Sequence, residues 1–200
     1  MKILLTGFEP FGGESINPSW EAVRLVRNVP EGMDIVRLRL PVTFAGARES
    51  LRAAAREHRP DVILSVGQAG GREGISLERI AVNLMDARIP DNAGFQPVDE
   101  PLYADGPAAY FSSLPLRPLL AALQEAEIPA SISNTAGLYV CNAVFYEAAR
   151  LKAQGKVRLA GFIHVPYLPG QAAEKDAPSL PLDRMVRALE IVFENLGRKG

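Results

Sequence analysis

Short apolar segments alternate with helix-forming segments along almost the whole chain, and this alternation limits the possible folds more than any other feature. Residues 3–5, 62–66 and 159–165 are mostly apolar runs of strand length. Such runs are typical of strands that are buried on both faces of a sheet. Segments of helical composition separate them, at residues 45–58, 115–126, 138–154 and 181–196. The pattern therefore predicts an α/β fold, an open α/β/α sandwich with helices on both faces of a mostly parallel or mixed sheet.

The remaining segments are less regular. Residues 35–42 alternate apolar and charged side chains, which predicts a strand nearer the edge of the sheet. Residues 77–84 and 130–133 predict two further strands, and the Asn-Pro pair at residues 17–18 predicts the start of a helix. Residues 86–106 are rich in Pro, Gly, Asp and Asn. They predict a long surface loop, a kind of segment that often carries function.

Composition narrows the class of protein. The 200 residues carry 22 Lys and Arg against 23 Asp and Glu, and this balance argues against a general nucleic-acid binder. A single cysteine excludes an intrachain disulfide and any multi-cysteine metal site. No stretch approaches the ~20 apolar residues of a membrane span, and the apolar start is too short for a signal peptide. We therefore expect one domain over residues 1–200, a cytoplasmic location and a reduced thiol, with no nucleic-acid or membrane partner.

Two glycine-rich segments directly follow predicted strands. Residues 7–13 (Gly-Phe-Glu-Pro-Phe-Gly-Gly) follow the first strand, and residues 67–72 (Gly-Gln-Ala-Gly-Gly-Arg) follow a later one. Ligands of open α/β sheets bind at the carboxyl ends of strands, so each segment is either an anion cradle or a tight turn. Neither matches the Walker or the dinucleotide-binding pattern. Phe8 and Phe11 favour an apolar ligand, to which the Gln68 amide offers a donor and an acceptor.

Cys141 is the only thiol, and two interpretations of it are open. A lone cysteine is usually a small buried hydrophobic residue. The alternative is a nucleophile, because Cys141 falls near the start of the helix predicted at residues 138–154. The first turn of a helix favours a thiolate and offers unpaired backbone N–H donors to an oxyanion.

A cysteine nucleophile needs a base, and the chain contains only two histidines. His58 lies at a charged helix end, which is typical of a solvated side chain. His164 interrupts an apolar strand near its carboxyl end, where we also expect Cys141. His164 is therefore the candidate base, with a purely structural histidine as the alternative.

A third group should orient the imidazole. Glu78 enters a predicted apolar strand, and because a buried carboxylate needs a partner, Glu78 is the candidate. The alternative is that Glu78 only forms an ion pair with Arg72 or Arg79. Asp86 and Asp91 are rival carboxylates, in a loop that we expect to hold them less firmly.

Five segments, in order along the chain, together resemble the type I pyroglutamyl peptidases, also called pyrrolidone-carboxylate peptidases. They are residues 7–13 with the pair at 17–18, residues 67–72 with 78–81, residues 86–92, residues 133–142 and residues 162–169. The similarity runs from residue 1 to about residue 170 and so covers most of the chain. One difference is the pair Leu138-Tyr139, which stands where the family pattern has Thr-Phe before the valine. The tyrosine adds a hydroxyl to the expected pocket wall.

The resemblance implies a cysteine peptidase that removes an amino-terminal pyroglutamyl residue from peptides. It implies Cys141 as the nucleophile, His164 as the base and Glu78 as the group that orients the base. It also implies an arginine beside the nucleophile and an apolar pocket for the pyroglutamyl ring, at Arg88 and at Phe8, Phe11, Ile89, Tyr139 and Val140. Members of the family are commonly homotetramers with an open α/β/α sandwich, and they need no metal or cofactor.

The chemistry of pyroglutamate fits these residue types. The ring is a flat, neutral lactam without a free amine, so its recognition needs apolar walls with a donor and an acceptor, as Phe8, Phe11 and Gln68 provide. Two other functions stay open, a transferase whose glycine turns bind phosphate or a nucleotide, and a binding module with an inert thiol. Loss of turnover on thiol alkylation indicates the peptidase. Stabilisation by phosphate or a nucleotide, with an unreactive thiol, indicates a rival.

Overall fold

A computed structural model describes residues 1–173 and 175–196 of the chain. Residues 174 and 197–200 of the predicted domain lie outside the described residues. The strands are β1 (Lys2–Phe8), β2 (Asp34–Leu40), β3 (Val62–Gln68), β4 (Ile75–Glu78), β5 (Ile80–Val82), β6 (Ala109–Phe111), β7 (Ala130–Ser133) and β8 (Leu159–Val165). The helices are α1 (Pro18–Leu25), α2 (Phe44–His58), α3 (Leu116–Glu125), α4 (Val140–Ala153), α5 (Pro169–Ala172) and α6 (Leu182–Leu196).

Six strands form the central sheet in the order β2-β1-β3-β8-β4-β7. The first four are mutually parallel, whereas β4 and β7 run antiparallel to β8. The sheet is therefore mixed and mostly parallel, and the predicted α/β fold class is confirmed. The strand β2 lies at one edge, as its alternating pattern indicates. The carboxyl ends of β1, β3 and β8 meet at one end of the sheet.

Two apolar clusters hold helices against the two faces of this sheet. Side chains alternate between the faces along a strand, so Leu5 of β1 packs in one cluster and Leu4 in the other. Helices α1, α3 and α6 contribute to the first cluster, and α2 and α4 contribute to the second. None of the helices in the two described ranges is long and apolar enough to cross a membrane.

The single strand that we predict at residues 77–84 is wrong. The strand β4 ends at Glu78, and β5 begins at Ile80 and pairs with β6 in a separate two-stranded sheet. Between them, Arg79 N–H donates to Ser133 O at 2.8 Å and Arg79 O accepts from Ser112 N–H at 2.8 Å. These two partners belong to different segments and turn the chain from one sheet to the other. Glu78 is therefore the last residue of a buried strand and does not enter one.

Candidate active site

Cys141 is the second residue of α4, which begins at Val140. The first hydrogen bond of this helix start joins Ala143 N–H to Tyr139 O at 3.2 Å. The amides before Ala143 therefore lie ahead of the helical hydrogen-bond ladder. The buried side chain of Asn142 accepts from Val82 N–H at 2.9 Å and donates to Val82 O at 2.9 Å, which fastens the start of α4 to β5.

The sulfur of Cys141 packs directly over β3. A Cβ atom built at Gly67 would lie 2.8 Å from Cys141 Sγ and 2.8 Å from the ring of Phe162. Gly67 is the register partner of His164 in the neighbouring strand β8. The thiol therefore lies above the strand position next to His164, and the absence of a side chain at Gly67 makes this approach possible.

The imidazole of His164 bonds a buried carboxylate. His164 Nδ1 lies 2.7 Å from Glu78 Oε1, and both side chains are buried. An ionised carboxylate can only accept a hydrogen bond, so Nδ1–H donates and Nε2 is the ring nitrogen free to accept a proton. The two residues come from neighbouring strands, at the end of β4 and near the carboxyl end of β8.

Arg72 binds the same carboxylate oxygen. Arg72 Nη1 donates to Glu78 Oε1 at 2.8 Å, and Arg72 Nη2 donates to Thr135 O at 3.1 Å. Among the described residues, Glu78 Oε2 has no hydrogen-bond partner and no ion pair joins Glu78 to Arg79. Glu78 therefore bonds the imidazole and also forms an ion pair with Arg72, so the alternative that it only forms an ion pair does not describe its contacts.

The electrostatic surroundings keep the thiol and the imidazole neutral near neutral pH. Burial raises the pKa of the Cys141 thiol to about 12, and the charge of Glu78 adds to this, while Arg72 and a backbone hydrogen bond act against it. Burial also lowers the pKa of His164 below its ordinary value, against the opposing effect of Glu78. The effect of burial on the pKa of the thiol is therefore larger than the effect of the helix N-terminus, which favours a thiolate.

A pocket of about 650 Å³ opens beside these groups. Nine of the ten site residues that we predict line it, namely Phe8, Phe11, Gln68, Arg88, Ile89, Tyr139, Val140, Cys141 and His164. The tenth, Glu78, is buried and reaches the pocket through His164. In the described part of the chain, no three His, Cys, Asp or Glu side chains form a group suited to a metal ion.

Aromatic side chains form one wall of the pocket. The ring centroid of Tyr139 lies 6.1 Å from that of Phe11 and 5.5 Å from that of Phe44, the second contact being edge-to-face. Tyr139 O–H donates to Pro90 O at 3.0 Å. The Tyr139 hydroxyl is therefore bonded to the long loop and holds it against the pocket wall.

The oxygen of the Gln68 amide lies near Gln171 Nε2, which also donates to Glu14 Oε2 at 3.2 Å and to Ile16 O at 3.3 Å. Gln171 Oε1 accepts from Leu168 N–H at 3.1 Å, so the other end of the Gln171 amide is a donor, and it reaches Gln68 Oε1 at 3.4 Å. Gln68 Nε2 has no hydrogen-bond partner among residues 1–173 and 175–196. The amide nitrogen of Gln68 is therefore the group available to a ligand. Sequence reasoning missed Gln171, because its role depends on where α5 lies.

The carboxylates of the long loop are not partners of His164. Asp91 Oδ2 accepts from Phe44 N–H at 2.9 Å at the start of α2, and Asp91 Oδ1 accepts from Ala93 N–H and Phe95 N–H at 2.9 and 3.0 Å. Our expectation that the loop holds Asp91 loosely is wrong, because this side chain is buried and builds the loop. Asp86 is exposed and lines the pocket.

The second glycine-rich segment is shaped by an aromatic ring that sequence reasoning missed. A Cβ atom at Gly70 would lie 2.1 Å from the ring of Tyr167, which lines the pocket. Gly67 and Gly70 are thus both required by side chains that fill the space above them. This use of the glycines favours a tight turn over an anion cradle.

Comparison with known proteins identifies the family. The family model described as pyroglutamyl peptidase matches residues 1–199. The chain belongs to the pyroglutamyl peptidase family. A pyrrolidone-carboxylate peptidase of Thermococcus kodakarensis is 51% identical over 205 residues, with 100% of both chains covered.

Solved structures of pyroglutamyl peptidases have the same fold. The pyroglutamyl peptidase I of Bacillus amyloliquefaciens is similar with a TM-score of 0.92 and 47% identity, over 96% of this chain and 93% of that one. The pyrrolidone carboxyl peptidase of Pyrococcus furiosus is similar with a TM-score of 0.94 and 43% identity, over 98% and 97%. The resemblance drawn from the five sequence segments is therefore confirmed over the length of the chain.

Proposed function

We propose that this chain is a cysteine peptidase that removes amino-terminal pyroglutamyl residues from peptides through a Cys141–His164–Glu78 triad and a thioester intermediate. The observation that carries the proposal is the buried hydrogen bond of 2.7 Å from His164 Nδ1 to Glu78 Oε1. This bond leaves Nε2 as the accepting nitrogen, in the pocket that also contains the Cys141 sulfur. A nucleophile, a base and a group that orients the base form the arrangement of a catalytic triad.

In the first half of the reaction, Cys141 Sγ attacks the carbonyl carbon of the pyroglutamyl residue and the thiol proton passes to His164 Nε2. Because the pKa of the free thiol is raised to about 12, proton transfer accompanies the attack. The carboxylate of Glu78 stabilises the imidazolium that forms. The amides at the start of α4, which lie ahead of the helical hydrogen-bond ladder, can stabilise the oxyanion, and Arg88 on the pocket rim adds a positive charge.

Collapse of the oxyanion breaks the carbon–nitrogen bond. His164 Nε2–H protonates the leaving amine, so the peptide departs and a Cys141 thioester remains. Water then attacks the thioester, and His164 accepts the proton of the water. The thiolate that leaves takes this proton back, which releases pyroglutamate and restores the neutral pair.

The pocket suits a neutral lactam. Phe8, Phe11, Ile89, Tyr139 and Val140 supply apolar walls. Gln68 Nε2, which has no hydrogen-bond partner among the described residues, can donate to the ring carbonyl. Asp86 is the carboxylate of the lining and is exposed, so no buried carboxylate lines the site that would hold a charged ring nitrogen.

The test of this function is a comparison of two aminoacyl amides that differ in the ring. We expect hydrolysis of a pyroglutamyl-linked chromogenic amide and no measurable hydrolysis of the corresponding prolyl amide, because prolyl carries a cationic nitrogen and the only carboxylate among the described lining residues, Asp86, is exposed. Alkylation of the single thiol should abolish turnover. Equal turnover of both amides would contradict the pocket assignment, and full activity after alkylation would contradict a thiol mechanism.

The two histidines provide a second, internal test. His58 lies at the end of α2, 3.8 Å from Glu57, and does not line the pocket. We expect His58→Ala to change kcat by less than about twofold and His164→Ala to lower it at least about 100-fold, the usual range for loss of a general base. Measured kcat values for the two variants decide the matter, and the reverse order would remove His164 from the mechanism.

We also propose that the chain acts as a homotetramer in the cytoplasm, as the family resemblance implies. The support on the chain itself is a set of large apolar side chains that are exposed outside the pocket, Phe95, Val98 and Phe111. Light scattering coupled to size-exclusion chromatography tests the assembly, and a monomeric mass would contradict it.

A further inference from the structure

We propose that Arg72 is a positioning residue of this site, which sets the pH at which the Glu78–His164 pair takes up a proton. The inference rests on the proposed function, and it concerns a residue with no role in the mechanism above. The geometry that carries it is the sharing of one carboxylate oxygen. Arg72 Nη1 and His164 Nδ1 lie 2.8 and 2.7 Å from the same Glu78 Oε1.

Because Arg72 and His164 contact the same oxygen of Glu78, the carboxylate attracts a proton on the imidazole less strongly. A permanent cation on Glu78 Oε1 offsets part of the negative charge that would otherwise favour imidazolium at His164. Arg72 is accordingly among the causes that lower the pKa of His164, although burial is the largest. A base that stays neutral down to lower pH remains able to accept the thiol proton.

No other charged group in the described part of the chain lies where it could replace Arg72 beside Glu78 and His164. The groups that face His164 are Glu78 on β4, Arg72 on the turn before β4, and the neutral thiol of Cys141 on α4. Gly67 on the adjoining strand β3 has no side chain. The second oxygen, Glu78 Oε2, is buried without a partner, so Arg72 is the only cation in direct contact with this carboxylate among the described residues.

Arg72 also ties the carboxylate to the segment that leads into the nucleophile helix. Its second nitrogen donates to Thr135 O at 3.1 Å, and Thr135 Oγ1 accepts from Gly137 N–H at 3.1 Å. The planar guanidinium spans Glu78 and Thr135 with two separate donors, which a lysine ammonium cannot reproduce. The side chain is 29% exposed and lies between the substrate pocket and a second cavity of about 610 Å³ beside β4 and β7, so it can be replaced without opening the core.

The experiment is the pH dependence of kcat/KM for a pyroglutamyl amide in Arg72→Gln. We expect the acidic limb of the wild-type profile to lie below pH 6.5, because burial lowers the pKa of His164 from that value. In the variant this limb should move up by about one pH unit, the lower end of the range for a nearby charge. The variant should then lose about tenfold relative to wild type at pH values on that limb. An acidic limb at the wild-type position would overturn the inference.

Two further variants separate charge from structure. Arg72→Lys keeps the cation and loses the Thr135 bond, so its acidic limb should lie closer to that of wild type than the limb of Arg72→Gln does. Arg79→Gln removes a positive charge from the residue that follows Glu78 in the chain. Arg79 has no ion pair with Glu78 among the described residues, so this variant should leave the acidic limb in place. A fall in Tm without any shift of the limb in both Arg72 variants would make Arg72 merely structural.

A measurement without turnover distinguishes failure of this inference from failure of the proposed function. The chain has two histidines, so NMR titration of the imidazoles, assigned with His58→Ala, follows His164 directly. Proton uptake by the pair should occur at higher pH in Arg72→Gln than in wild type, whether or not the protein hydrolyses the amide. An inactive wild type with this shift overturns only the proposed function, and an active wild type without it overturns only the role of Arg72.

Discussion

Cys141→Ala and Cys141→Ser should both lower kcat for a pyroglutamyl amide by at least about 10⁴-fold, because loss of a nucleophile removes the covalent route and effects of this size are usual. Alanine has no nucleophile. Serine retains the position but offers a hydroxyl that is far less acidic than a thiol, in a site where burial already raises the pKa of the thiol to about 12. The two variants should therefore be similarly inactive.

The controls for Cys141 follow from its position. The sulfur packs over Gly67 and the helix start is held by Asn142, so both small replacements should fold. Far-ultraviolet circular dichroism and Tm check the fold, and binding of 2-pyrrolidinone, a lactam that does not react, checks the pocket. Activity within about tenfold of wild type in either variant would exclude Cys141 as the nucleophile.

The fold could be predicted largely from local pattern, and the error in the strand predicted at residues 77–84 has a long-range cause. Apolar runs of strand length mark β1, β3 and β8, and the helix signals give α2, α4 and α6 nearly to the residue. The break between β4 and β5 leaves no mark in residues 77–84, because it is made by two hydrogen bonds of the Arg79 backbone, which donates to Ser133 O and accepts from Ser112 N–H. These partners are distant in sequence, so no local periodicity reports them.

The candidate site likewise contains residues that the sequence predicts and contacts that only the structure shows. The sequence predicts Cys141 and His164 because each is a reactive side chain at the end of a predicted helix or strand. In an α/β fold these ends lie at the same edge of the sheet. Arg72 appeared in the sequence only as one of two possible partners of Glu78, and its sharing of one oxygen with His164 is visible only in three dimensions. The contact between Gln171 and Gln68 depends on α5, which the sequence pattern does not predict.

Glu78→Gln should lower kcat by about 10³–10⁴-fold, the size expected when the carboxylate of a triad is replaced by its amide. The amide keeps the shape but removes the charge that stabilises the imidazolium. Its NH₂ group can donate to His164 Nδ1, which would place the ring hydrogen on Nε2 and prevent this nitrogen from accepting the thiol proton. Affinity for 2-pyrrolidinone should stay near that of wild type, because Glu78 does not line the pocket.

Because Glu78 also binds Arg72, a lower Tm in Glu78→Gln does not by itself mark a structural role, and Arg72→Gln is the matched control. Both variants lose the ion pair between Arg72 Nη1 and Glu78 Oε1, but only Glu78→Gln removes the carboxylate from His164. We expect both to lower Tm, whereas the single-turnover rate at pH 8 should fall at most about tenfold in Arg72→Gln and at least about 10³-fold in Glu78→Gln. Similar rates in the two variants, together with similar losses of Tm, would assign Glu78 to stability alone and leave the imidazole to be oriented by another group.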